Sequence, residues 1–115
     1  MSTYEISVSN PWFDYIKNKK KKVEGRLNKN IFAQFKKGDI VIFTNNDMKI
    51  KTKIKRITKY KSFNDYLMQE GLRATLPNII TIDDGIAIYR QFYPEEKERE
   101  YGVLAIKIKI IPYLK

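Results

Sequence analysis

The chain has 115 residues, 43% of them hydrophobic and 13% aromatic, which is enough for one domain with one core and too much for a disordered chain. Lysine and arginine number 23 against 13 acids, giving a formal charge of +10, and there is no cysteine or histidine. Disulfides, thiol nucleophiles, zinc sites, His-based acid–base chemistry and Ser-His-Asp triads are thereby excluded. The N-terminus has neither a basic nor an apolar signal segment, and apolar runs such as Val103–Ile106 are far too short to span a bilayer. The composition describes a small, basic, cytoplasmic domain covering residues 1–115, with no membrane partner.

Tyr4, Ile6 and Val8 alternate with Glu5, Ser7 and Ser9, the pattern of a half-buried strand. Asn10-Pro11 then opens a helix, with Asn10 as cap and Pro11 in the first helical position, and Trp12, Phe13, Tyr15 and Ile16 supply its apolar face. This helix frays into a lysine run, after which Lys22–Leu27 is extended. Ile40–Phe43 reads as a buried strand. Asn45-Asn46-Asp47 has hairpin chemistry, because these residues tolerate positive φ. On the return strand Met48, Ile50, Thr52 and Ile54 face one way and Lys49, Lys51, Lys53 and Lys55 the other.

The second half is more helical. Ser62 with Asp65 forms a capping box ahead of Phe63, Tyr66 and Leu67, and Gly71 supplies the stop. Thr81 and Asp84 repeat the signal ahead of Ile86 and Tyr89, and Pro94–Glu100 predicts a short charged helix. Gly102 opens a last strand in which Ile106, Ile108 and Ile110 oppose Lys107 and Lys109. The order, β-α-β-β-β-α-α-α-β, predicts an α+β fold on a small curved sheet or open barrel.

Charge is distributed unevenly along this order. Residues 1–61 carry 16 basic and 5 acidic side chains, against 7 and 8 in residues 62–115. The whole excess lies in the first half, mainly in Lys17–Lys22 and Lys49–Lys61, which is the electrostatic pattern of a polyanion binder.

The run Lys19-Lys20-Lys21-Lys22-Val23-Glu24-Gly25-Arg26 resembles the signature of the ASCH domain family, Gly-x-Lys-x-x-Glu-x-Arg. Lys21, Glu24 and Arg26 match it, and Lys19 stands in place of the glycine. Phe35–Val41, Tyr60–Leu76, Tyr89–Tyr93 and Tyr101–Ile106 resemble later segments of the same family, so the likeness covers nearly the whole chain. The resemblance implies a PUA-like open β-barrel of five to six strands with flanking helices, a cleft lined by the signature residues, and a link to RNA or its modified bases. One branch of the family hydrolyses acyl groups from N4-acetylcytidine with a lysine, a threonine and a glutamate. Carried over by position, the lysine is Lys21 and the glutamate Glu70, whereas the threonine position holds Glu24.

Three functions follow as expectations. The first is binding of RNA or a modified nucleoside, with Lys22, Arg26, Lys49, Lys51, Lys53, Lys55 and Tyr93 as contacts and Tyr93 stacking on a base. The second is a metal-independent amidohydrolase, in which Lys21 is base or water-positioning group, Glu70 the proton shuttle, Arg26 the oxyanion partner and Glu24 the group that orients Lys21. The third is a ribonuclease using Glu24 and Glu70 as metal ligands, disfavoured because two carboxylates in a lysine shell hold a cation poorly. No cofactor is expected. Strand alternation adds a geometric condition: Lys22, Glu24 and Arg26 share a face, and Lys21 joins Glu24 only from a turn or a bulge.

Overall fold

The computed structural model describes residues 1–112, and alternation dictates most of its sheet. The elements are β1 (Thr3–Ser7), α1 (Trp12–Lys17), β2 (Val23–Leu27), a 3-10 turn (Asn30–Gln34), β3 (Ile40–Asn45), β4 (Met48–Tyr60), α2 (Phe63–Glu70), α3 (Leu72–Thr75), α4 (Ile82–Arg90), α5 (Glu95–Tyr101) and β5 (Val103–Ile110). The five strands form one sheet in the order β1-β3-β4-β5-β2, curled into a half-barrel, with β1 parallel to β3 and the other pairs antiparallel. The last strand therefore returns between β4 and β2, and β1 and β2 are the two edges. Among the described residues no helix is long and apolar enough to cross a membrane.

Capping chemistry works where it is expected. Ser62 Oγ accepts from the Asp65 amide and Thr81 Oγ1 from the Asp84 amide, both at 3.1 Å. Gly71 and Gly102 close helices at φ +86° and +75°. The first helix begins one residue later than predicted, at Trp12, after a cis Asn10–Pro11 bond, yet Asn10 Oδ1 still accepts from the Asp14 amide at 3.1 Å.

A core forms on each side of the sheet. On one side Ile6, Phe13, Ile16, Val41, Phe43, Ile54, Leu104 and Ile106 pack beneath α1, and on the other Val23, Leu27, Val103 and Ala105 meet Phe63, Tyr66, Leu67 and Tyr89 of the helical layer. Gly25 is required for the second contact, since a Cβ there would lie 2.6 Å from the buried Tyr66 ring. Glu98, itself buried, joins three helices by accepting from the Phe63 amide at the start of α2 and pairing with Arg90 of α4 at 2.8 Å.

The strict alternation predicted for β4 does not continue along its length. Ile54 faces Ile108, but Arg56 faces Lys107, so two residues of β4 oppose one of β5 and Lys55 is the extra residue of a bulge. The phase then inverts. Ile57 joins Ile54 in the core under α1, whereas Tyr60 packs into the core on the helical side.

Candidate base-binding pocket

A pocket of about 180 Å³ lies where the curled sheet stays open, lined by Ser7–Ser9 at the end of edge strand β1 and by Glu24–Arg26 of edge strand β2. Trp12, Ile88, Tyr89, Phe92 and Tyr93 complete its walls. The floor is charged and largely dry: Lys21 and Glu24 are 3% and 6% exposed.

Lys21 reaches this floor from the position the alternation required. It precedes β2, in a turn in which the Lys20 and Lys21 amides both donate to the Tyr15 carbonyl. The turn needs a left-handed residue, and that residue is Lys19 at φ +65°, which accounts for the glycine of the signature it replaces. The Lys21 ammonium donates to the carbonyls of Val23 (2.9 Å) and Thr75 and lies 3.3 Å from Glu24 Oε1. Three acceptors for three protons describe an ammonium whose donors are all committed. Burial pushes the Lys21 pKa below its ordinary value, and Glu24 opposes that shift.

Glu24 receives Lys21 on one oxygen and Arg26 Nε on the other at 2.8 Å. Burial works against its carboxylate, but Arg26 and Lys21 outweigh it and hold the carboxyl below the usual carboxylate range. Arg26 lies with its guanidinium 4.9 Å from the Phe32 ring centre, beside the Tyr93 phenol. Burial disfavours its charge, yet Glu24 holds the guanidinium pKa above its ordinary value. With Nε used, its terminal NH₂ groups are the principal donors of the site.

Lys21, Glu24, Arg26 and Tyr93 thus meet in one pocket, but the other predicted residues do not join them. Glu70 takes the Arg56 guanidinium in a two-pronged pair (2.7 and 2.9 Å) and the Tyr60 hydroxyl, and it is absent from the pocket wall. Arg56 and Tyr60 hold its carboxyl below the usual range. The inverted phase after the β4 bulge is the reason, because it turns Arg56 and Tyr60 toward the end of α2. Lys22 is exposed on a different groove, Lys49 pairs with Glu5 at 3.6 Å, and Lys51, Lys53 and Lys55 also lie away from the pocket wall. Tyr93 is half-buried and stacked on Phe63 at 5.6 Å, so the exposed ring at the mouth is its neighbour Phe92, 64% accessible. Phe92, Trp12 and the Ser7–Ser9 rim were not legible as site residues. Among the described residues no three acidic side chains group to hold a metal ion.

Comparisons with known proteins agree with this architecture. The chain is similar to the crystal structure of the Pyrococcus hypothetical protein PH0355, with 42% identity and a TM-score of 0.89 over 95% of this chain and 99% of that one. It is also similar to the solution NMR structure of Protein PF0455 from Pyrococcus furiosus, with 40% identity and a TM-score of 0.81 over 96% of this chain and 99% of that one. A search of curated proteins finds no significant match. The model of the ASCH domain matches residues 6–112, nearly the whole length, and with the PUA-like half-barrel and the Lys21–Glu24–Arg26 cluster in place the chain belongs to the ASCH domain family.

Proposed function

We propose that the pocket binds one unstacked nucleobase or nucleoside of RNA, and that the protein is a binding module rather than a hydrolase. The observation that carries this reading is a buried carboxylate paired with a partly exposed guanidinium at the floor of a small aromatic-walled pocket. At about 180 Å³ the pocket falls below the roughly 300–1,000 Å³ typical of drug-sized ligands, so its scale suits one planar ring. Arg26 supplies donors and Glu24 retains acceptor capacity, the combination needed to read the hydrogen-bonding edge of a base. Phe92 and Trp12 offer apolar faces to a ring entering between the sheet edges, and one base–aromatic stack contributes about 1–3 kcal/mol.

A second reading, hydrolysis of an acylated cytosine without metal, is favoured by the buried Lys21 beside Glu24. It ranks lower because a general-base lysine needs a free lone pair, and Nζ is surrounded by three acceptors. Glu70, its proton shuttle, is committed to Arg56 and Tyr60.

Titration calorimetry with cytidine, uridine, adenosine, guanosine and N4-acetylcytidine tests both readings. Binding of one or more nucleosides that is lost in Arg26→Met and weakened at least tenfold in Phe92→Ala supports the base pocket. Equal behaviour of wild type and both variants overturns it. Release of cytidine from N4-acetylcytidine that survives EDTA and drops more than about a hundredfold in Lys21→Ala moves the assignment to hydrolase.

A further inference from the structure

Two buried phenols stand behind the pocket wall. Tyr66 of α2 and Tyr89 of α4 meet hydroxyl to hydroxyl at 3.0 Å, and among the described residues neither oxygen has another hydrogen-bond partner. Packing fixes where they meet, since the Tyr89 ring stacks on Phe63 at 4.5 Å and takes the Tyr66 ring edge-on at 5.7 Å. Tyr66 is fully buried and does not line the pocket, whereas Tyr89 is 7% exposed and does. Each hydroxyl brings one proton, and the bond between them uses one. This asymmetry sets its direction. Were Tyr89 the donor, the Tyr66 proton would be buried with no acceptor and would carry the desolvation penalty of an unmade hydrogen bond. With Tyr66 as donor its proton is satisfied, and the Tyr89 proton faces the pocket. Burial raises both phenol pKa values, and the mutual bond raises Tyr66 further while it lowers Tyr89, the opposite effects of a bond on its donor and on its acceptor.

We propose that Tyr89 is a specificity-determining residue of the pocket, its hydroxyl turned outward by Tyr66 to donate to a carbonyl oxygen on the ring of the ligand. This role rests on the reading of the pocket as a base site and adds to it the chemistry that the site selects. The Arg26 terminal NH₂ groups can only donate, and Arg26 and Tyr89 lie close enough to act on each other's charge. Each Glu24 oxygen already carries a cationic donor, Lys21 on one and Arg26 Nε on the other. A hydroxyl committed to donating beside a guanidinium that must donate calls for a ligand atom with lone pairs and no proton. An amino group placed there would set donor against donor and leave the Tyr89 proton unpaired. A ring nitrogen has one lone pair and serves one donor, whereas a keto oxygen has two and accepts from both. Tyr66 touches no ligand. It is a positioning residue, which acts by occupying one lone pair of the Tyr89 oxygen and so fixing where the Tyr89 proton points.

The test is calorimetry on the full chain with uridine and cytidine beside 2-thiouridine, 4-thiouridine and 2-thiocytidine. It compares the wild type with Tyr89→Phe and Tyr66→Phe, and uses Arg26→Met as the control for the pocket. Sulfur accepts hydrogen bonds more weakly than oxygen, and its larger size is felt alike with and without the hydroxyl. The wild type should bind a parent nucleoside about fivefold or more tighter than one of its thio analogues. Tyr89→Phe keeps the ring on Phe63, yet it should bind that parent about fivefold or more weaker, with the preference for oxygen reduced to about twofold or less. Tyr66→Phe should keep only part of the preference, because Tyr89 retains its proton and loses its orientation. The preference is a ratio within one folded protein, so lost stability does not imitate its disappearance. A preference unchanged in Tyr89→Phe, or absent from a wild type that binds nucleoside, overturns the role of Tyr89. The pocket reading then still stands wherever Arg26→Met abolishes binding. A preference unchanged in Tyr66→Phe overturns the positioning by Tyr66. No nucleoside binding by the wild type, or binding untouched in Arg26→Met, removes the base pocket and this role with it.

Discussion

Lys19 shows how one residue can explain a motif. At φ +65° it occupies a conformation that costs an L-residue with a Cβ about 1–2 kcal/mol, and glycine nothing. Its side chain is exposed, so nothing in the core compensates. Lys19→Gly should raise stability by about 1 kcal/mol in urea denaturation, partly offset by the greater freedom of glycine in the unfolded chain. Glu24 gives the pH dependence. Its folded pKa lies below the ordinary 4.5, despite burial, because Arg26 and Lys21 hold the carboxylate. A depressed carboxyl contributes stability that is fully present above the unfolded pKa and is lost as pH falls through the folded one. Wild-type stability should therefore drop below about pH 4.5, and Glu24→Gln should be less stable at neutral pH with a shallower acid limb. An acid limb as steep as that of the wild type would assign the transition to other carboxylates.

The elements were legible wherever a local signal acted alone. Alternation placed β1, the early part of β4 and the later part of β5, Ile106–Ile110. Ser62, Gly71 and Thr81 bounded their helices by hydrogen bonds and by φ, both of which are local. The bulge was not placed, although Arg56-Ile57 breaks the alternation that Met48–Lys55 keeps, because nothing local says that Lys55 is the extra residue. That one displaced residue decides the fate of Glu70, whose partner Arg56 reaches it only in the inverted phase. Of the candidate residues, the grouping of Lys21, Glu24 and Arg26 was legible because they are close in sequence. The place of Glu70 was not legible, because it depends on how two distant elements, β4 and α2, pack against each other. Lys53 and Lys109, which face each other across β4 and β5, belong to the same level, because sheet register creates the pair. Lys109→Glu would replace repulsion with attraction opposite Lys53 and should raise stability by about 0.2–1 kcal/mol at low salt. The gain should shrink when salt screens the pair, as followed by thermal denaturation at two ionic strengths.

At the scale of the whole molecule, Lys21 joins parts that are otherwise held by separate cores. Its ammonium ties β2 through the Val23 carbonyl, the helical layer through the Thr75 carbonyl, and the pocket floor through Glu24. A catalytic lysine and a fastening lysine differ in what their loss does. The first leaves the fold intact and abolishes turnover. Lys21→Met keeps the apolar stem and removes the charge, leaving the Thr75 carbonyl without its donor and Glu24 with Arg26 alone. Breaking a buried pair in this way costs about 3–5 kcal/mol, a large share of the roughly 5–15 kcal/mol that stabilises a domain. The expected result is a lowered urea midpoint, with amide exchange accelerated first at the junction of β2 with the Thr75 turn, where the tie is lost. Lys21→Arg should not restore it, because a planar guanidinium cannot present three donors in the pyramidal arrangement of an ammonium. A Lys21→Met protein as stable as wild type would mean that the three acceptors around Nζ are satisfied without it, and would return Lys21 to the list of groups free to do chemistry.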